Sequence, residues 1–209
     1  MTALKNLLDA SAARHTHLCP RQVLGVRIGL VGAAALGLDA PRQDKRLLVI
    51  AETDGCFTSG LEAATGCSVG HRTLRVEDYG KIAATFVDVQ TRQALRVAPR
   101  LDARAHARAY APEEQRHYFV QLTAYQIMPD DELLSVQAVR LATSVETIVS
   151  RAGVRVPCAA CGEEIINERE IEVEGTLLCR ACAGRAYYRP VTQARPMLVS
   201  PSETEEIRV

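Results

Sequence analysis

The chain has 209 residues, with 25 basic and 25 acidic side chains and so no formal net charge at pH 7. Neutrality gives no electrostatic ground for holding nucleic acid or an anionic surface, and three Phe, six Tyr and no Trp leave little for a base-stacking platform. Seven cysteines behind a start that lacks a charged and then apolar leader read as metal ligands or reactive thiols in a cytoplasmic protein, with no membrane segment, rather than as a disulfide framework.

The length predicts one domain of moderate size followed by something small. Residues 2–13 predict a first helix, with Thr2 at a capping position and Leu4, Leu7, Leu8 and Ala12 on one stripe. The run His15-Thr16-His17-Leu18-Cys19-Pro20 follows. Proline suits the first turn of a helix, where its missing N–H would have no partner anyway. Cys19 is therefore expected at or beside the N-cap, where unpaired N–H groups and the positive dipole end favour a thiolate. From Val23 to Leu38 every residue is apolar or Gly except Arg27, which predicts a core helix rather than a membrane span. Gly25, Gly29 and Gly32 follow helical spacing, and their cost in propensity, about 1 kcal/mol each, implies tight core packing.

Residues 38–44 predict a turn and residues 46–51 a buried strand. Cys56 is expected where that strand turns into a helix reaching about Thr65, with Gly66 closing it in the left-handed conformation and Cys67 following at once. Residues 69–81 read as a turn-rich connection, residues 82–89 and 94–98 as a hairpin ended by Pro99, and residues 102–111 as a short Ala- and Arg-rich helix. Pro112-Glu113-Glu114 is expected to open a further helix to about Tyr125, and residues 133–141 to form a strand. Helices packed on a sheet that contains a hairpin make the core α+β.

Cys158-Ala-Ala-Cys161 and Cys179-Arg-Ala-Cys182 are separated by 17 residues. Each C-x2-C pair lets two thiolates reach one ion, and two pairs complete a closed tetrahedral site for a structural zinc. So few residues would not hold together without such a staple. The module is net acidic, with Glu163, Glu164, Glu168, Glu170, Glu172 and Glu174 against Arg169, Arg180, Arg185 and Arg189, which suits a protein partner better than phosphate. The Pro-, Ser- and Glu-rich end of the chain predicts disorder.

Elsewhere, His17, Cys19 and Cys56 are candidates for a second nitrogen and sulfur site with an open position, for zinc or another divalent metal, with Cys67 in reserve; buried structural cysteine is the plainer alternative. His15 is expected to cap or to face solvent. Asp78-Tyr79-Gly80-Lys81 places an acid, a phenol and an ammonium on one turn; a buried Lys can be tuned for acid–base work, although such a turn more often caps a strand. Arg92, Arg96, Arg100, Arg104 and Arg108 recur every four residues, but Pro99 breaks the stripe, so a solvated edge is expected rather than a phosphate patch.

These residues together resemble the FmdE family, named for one of the polypeptides of formylmethanofuran dehydrogenase. The resemblance lies in His15-x-His17-x-Cys19-Pro20, Gly25 and Gly29, Glu52 with Cys56, Thr65-Gly66-Cys67, and Asp78-Tyr79-Gly80-Lys81, in order, over about the first ninety residues. It implies an α+β core (1-150), often dimeric, with an optional treble-clef-type four-cysteine finger (157-188) and here a tail (189-209). The finger is also similar to those of DksA/TraR-type regulators. Arg21 stands where the family usually has Gly after Cys-Pro, adding bulk and charge beside Cys19, and His71 stands where Lys is usual. The resemblance favours His17, Cys19 and Cys56 sharing one pocket. The parent enzyme's redox chemistry belongs to its other polypeptides, and the only clustered cysteines here are the four of the finger.

Three expectations follow. The first is a homodimeric metal-binding accessory protein, docking on a partner such as a molybdopterin oxidoreductase. The second is an enzyme using Cys19 or a bound metal, with Lys81 or Tyr79 assisting proton transfer. The third, disfavoured by charge, is a finger-based regulator of nucleic acid.

Overall fold

Pro20 opens α2 (Pro20–Ala35), whose sides are almost all covered: Val23, Val26, Ile28 and Ala33 are at most 1% exposed. Cys19 is its N-cap in extended conformation, and the Gln22 side chain returns to accept from the Cys19 backbone N–H at 2.7 Å. That bond pairs one of the donors a helix start otherwise leaves open.

The structure is a computed structural model that describes residues 3–191, so the expected tail beyond residue 191 lies outside the described residues. It divides into two units, Met1–Val149 and Ser150–Val209. The first contains α1 (Ala3–Ala12), α2, β1 (Leu47–Ala51), α3 (Cys56–Thr65), β2 (Leu74–Val76), β3 (Ala84–Asp88), β4 (Ala94–Pro99), α4 (Ala103–Tyr110), α5 (His117–Ile127), α6 (Asp130–Leu133), β5 (Leu134–Ala138) and α7 (Val145–Val149). One sheet runs β2-β1-β3-β4-β5, parallel between β1 and β2 and antiparallel elsewhere. The class is the expected mixture of helix and sheet.

Alternation along the strands divides the unit into layers. Leu47, Val49, Ala51, Ala84 and Phe86 face the main core with α1, α2, α3 and α5. Leu48 and Val87 face the other side, where Val145 of α7 covers them. Gly32 of α2 lies over the Phe86 ring, where an added Cβ would come within 2.3 Å of it.

Three local features differ from expectation. Residues 74–76 form β2, a three-residue strand paired in parallel with β1. α5 begins at His117, because Pro112–Gln115 is held as a turn by Glu114 N–H to Ala111 carbonyl (3.3 Å) and by the Arg108 guanidinium on the Glu114 carbonyl. β5 ends at Ala138 as an edge strand. The arginine stripe is a series of separate pairs, Arg92 with Glu146, Arg96 with Glu52 and Arg100 with Asp102, as expected of a solvated edge.

In the second unit, β6 (Arg155–Pro157) pairs with β7 (Glu164–Ile166), and β8 (Ile171–Val173) pairs with β9 (Thr176–Leu178). A helical turn, Ala181–Arg185, follows. No described helix is long and apolar enough to cross a membrane.

Candidate functional site

Gly25 and Gly60 set the geometry of the core site. A Cβ on Gly25 would lie 2.3 Å from the Phe57 carbonyl oxygen, and one on Gly60 would lie 2.4 Å from the Gln22 carbonyl oxygen, so α2 and α3 touch backbone to backbone. Further along, Gly29 faces Ala64. The partners advance together along both chains, so the two helices run parallel and their starts lie at one end. Cys19 caps one start and Cys56 is the first residue of the other.

The segment before α2 runs along α3 toward that end. Arg14 pairs with Glu62, while His15 bonds Ser59 through Nε2 (2.9 Å) and approaches the Cys56 sulfur through Nδ1 (4.0 Å). α5 also starts here: the Tyr118 hydroxyl donates to the Leu18 carbonyl at 3.2 Å. Near its other end, Arg27 of α2 donates to the Tyr125 and Met128 carbonyls, which makes α5 parallel to α2 as well. The starts of α2 and α3 therefore bring the two thiols to one end, and Tyr118 from the first turn of α5 reaches the chain just ahead of Cys19.

Burial and the neighbouring Cys19 side chain push the Cys56 thiol up, and the Arg21 guanidinium pulls it down. Burial and the charges of Cys19 and Cys56 push the Tyr118 phenol up, keeping it a donor. Cys19 is buried and Cys56 half-buried, while His15, Arg21 and Tyr118 form an exposed rim.

The other expected residues are placed differently. His17 is exposed and its Nδ1 bonds the Thr16 hydroxyl at 3.0 Å, so His15 rather than His17 stands beside a thiol. Cys67 lies beyond the far end of α3, about 15 Å away by helix rise. It is 2% exposed, bonded to the Leu47 carbonyl and pushed up by burial. His71 sits in the exposed turn next to it, its N–H on the Ser68 hydroxyl. The side chains of Tyr79 and Lys81 are exposed, on a turn whose backbone N–H groups both donate to the Glu52 carbonyl, at 2.9 and 3.1 Å. Glu52 in turn binds Arg96 through both carboxylate oxygens. A groove of about 630 Å³ lined by Leu36, Leu95, Val136 and Leu141 lies beside the opposite end of α2 and carries no thiol.

Tyr118 and Ser59 had no signal in the sequence. Each is one polar residue in a helix, and only the packing of α2, α3 and α5 brings it to the cysteines.

In the second unit, Cys158, Cys161, Cys179 and Cys182 have sulfur atoms all within 4.8 Å of one another. Tetrahedral zinc–thiolate bonds near 2.3 Å require sulfurs about 3.8 Å apart, so the set fits zinc with small adjustment. Among the described residues, no other His, Cys, Asp or Glu trio is gathered as closely. The Cys179 and Cys182 N–H groups donate to the sulfurs of Cys158 and Cys179, at 3.3 and 3.4 Å. The Cys161 and Cys179 N–H groups hold Cys158 down at about 6. The other three thiols push Cys182 up to about 12, a repulsion that a cation relieves. The site is closed by four cysteines and is structural.

The family described as "FmdE, Molybdenum formylmethanofuran dehydrogenase operon" matches residues 14–135, and the prokaryotic dksA/traR C4-type zinc finger matches residues 151–188. A probable S-adenosyl-L-methionine-binding protein of Archaeoglobus fulgidus is 36% identical over 87 residues, 40% of this chain and 24% of that protein; the chain thus spans about a quarter of that relative. A crystal structure of a tungsten formylmethanofuran dehydrogenase FmdE-like protein from Syntrophus aciditrophicus superposes with a TM-score of 0.57 at 18% identity. That superposition covers 89% of this chain and 95% of that one, and what it shares is the fold.

Proposed function

The chain belongs to the FmdE family, and from that premise we propose that its first unit is an accessory module holding a thiophilic divalent metal, zinc or a relative, through Cys19, Cys56 and His15. The observation that carries this is the meeting of Cys19 and Cys56 at the starts of two parallel helices, with His15 Nδ1 4.0 Å from the Cys56 sulfur. Zinc bound by one thiolate and one imidazole sets those two atoms about 3.6 Å apart, a small closure from this geometry. Burial and Cys19 hold the Cys56 thiol up against the pull of Arg21, and a bound divalent cation would supply the charge that turns it to thiolate. Three protein ligands leave one position open, as in metal sites that exchange ligands with a substrate or partner. The partner in this reading is an oxidoreductase that carries the redox cofactors, served by a homodimer of this chain in the cytoplasm.

Metal content per chain, on the wild type and on Cys19→Ser/Cys56→Ser, tests the metal site. Two ions falling to one supports it. One ion in both leaves only the finger and overturns it. Co-purification with a large oxidoreductase tests the accessory role.

A second reading is S-adenosyl-L-methionine binding, which rests on the identity with the Archaeoglobus protein. Equilibrium dialysis with that compound on the metal-loaded chain decides it: retention at one equivalent supports the reading, and none removes it.

A further inference from the structure

We infer that the free edge of β5 is where a second copy of this chain docks, the two β5 strands pairing antiparallel about a twofold axis at Val136, so that one sheet continues through both copies. This rests on the homodimer proposed above and gives it an interface.

β5 closes one side of the sheet, and Ser135, Val136, Gln137 and Ala138 are all exposed. At its two ends the Arg100 N–H donates to the Leu133 carbonyl and the Val139 N–H to the Ala94 carbonyl, both at 3.0 Å. Antiparallel ladders alternate, so residues 133, 135, 137 and 139 turn their backbone groups to β4. Leu134, Val136 and Ala138 turn theirs to the open side. The devices that keep an edge from pairing are missing: residues 134–138 carry no charge and no Pro, and no bulge interrupts their register with β4. Val136 is 51% exposed and, with Leu36, Leu95 and Leu141, lines the groove beside the strand.

The order of residues along the chain names the occupant. Asp131 and Glu132 stand just ahead of the strand and Arg140 just after it, all exposed, and no ion pair holds Arg140 among the described residues. The Tyr110 hydroxyl donates to Glu132 Oε2 at 2.7 Å, which leaves Oε1 for a guanidinium. Antiparallel pairing lays the acidic end of each strand against the basic end of the other. With the two Val136 residues opposite each other, Leu134 faces Ala138, Ser135 faces Gln137 and Glu132 faces Arg140, in both directions. Apolar then meets apolar on the groove side, polar meets polar on the other, and acid meets base at each end. A slip of two residues sets Leu134 against Arg140, or Glu132 against Ala138. A slip of one opposes backbone groups that are free to groups already held by β4. A strand of an unrelated protein has no reason to carry this order, whereas a second copy carries it by identity.

Sedimentation equilibrium of the full, zinc-loaded chain measures the assembly, and the wild type is expected to be a dimer. Val136→Lys sets two ammonium groups against each other at the axis and is expected to be a monomer, with circular dichroism like that of the wild type showing that the fold holds. Arg140→Glu is expected to weaken association about tenfold, and Arg140→Glu/Glu132→Arg to restore it to within about threefold. A dimer that Val136→Lys leaves intact overturns this interface and leaves the homodimer standing on another surface. A double variant no tighter than Arg140→Glu overturns the pairing of Arg140 with Glu132 and the register with it. A wild type that stays monomeric overturns both readings and leaves the edge to a strand of another protein.

Discussion

Gly25 and Gly60 meet where α2 crosses α3, and neither has room for a methyl group, because the nearest atoms are backbone oxygens and nitrogens. Backbone cannot swing aside as a side chain does. Gly25→Ala is expected to cost about 3 kcal/mol by overpacking, and to part the helix starts so that Cys19 no longer sits beside Cys56. Thermal unfolding reads the first effect and metal content per chain the second. A variant with unchanged melting temperature would show that the crossing has slack.

Cys56 should alkylate slowly at neutral pH and faster as pH rises, because burial and Cys19 hold its thiol above the ordinary value. Arg21→Gln removes the opposing charge and should move the profile to still higher pH. Peptide mapping after iodoacetamide treatment of the chain without core metal tests this. Cys67, in the core, should react only on unfolding.

Asp88 is tied to Arg46 by two hydrogen bonds, at 3.1 and 2.8 Å, and accepts from the Gln90 N–H at 2.9 Å. The guanidinium first, then the Gln90 and Thr91 N–H groups, hold its carboxyl well below the usual range. The unfolded chain therefore binds the proton more readily. The contribution of the pair is complete above about pH 4 and is lost as pH falls toward the folded value. Asp88→Asn should cost about 2 kcal/mol at pH 7, and the difference from wild type should shrink below about pH 4 in urea melts. A difference that does not vary with pH would refute the pairing as its cause.

Arg27 is 8% exposed and joins the middle of α2 to the Tyr125 and Met128 carbonyls and to Asp130. Arg27→Met should cost about 3 kcal/mol by stranding those carbonyls. Arg27→Lys should recover little, since one ammonium cannot span three acceptors set for a planar fork. Chemical denaturation of the two variants checks both statements.

Zinc removal from the finger should unfold residues 157–188 and leave the first unit folded, since the small unit has few buried apolar residues besides Cys158 and Ile165. Limited proteolysis with and without a chelator should cut within the finger and spare the Met1–Val149 unit. Cooperative loss of both would contradict it.

How much of this was legible in the sequence depended on how local the cause was. Pro20 and Cys19 declared a helix start, Gly66 a left-handed cap (φ 72°), and the paired C-x2-C spacing a zinc site. Each is decided within a few residues. β2 was not legible, because Leu74-Arg75-Val76 becomes a strand only through its pairing with β1. His15 and His17 are equivalent locally, and it is Ser59, 44 residues away, that places one of them beside Cys56. The parallel course of α2, α3 and α5 belongs to packing alone, so neither Tyr118 nor the meeting of the α2 and α3 starts could be read in advance. Pro112 has the look of a helix start, and Arg108 on the Glu114 carbonyl makes it a turn.

Glu52 is a knot in the chain. Its N–H donates to Ala83, its carbonyl accepts from Tyr79 and Lys81, and its side chain is held by Arg96. Only three residues separate it from Cys56. The turn carrying Tyr79, a residue 69% exposed, is thus tied to the stretch that leads into α3. A load on that turn would reach Glu52 through two backbone hydrogen bonds, with only residues 53–55 between Glu52 and the first residue of α3.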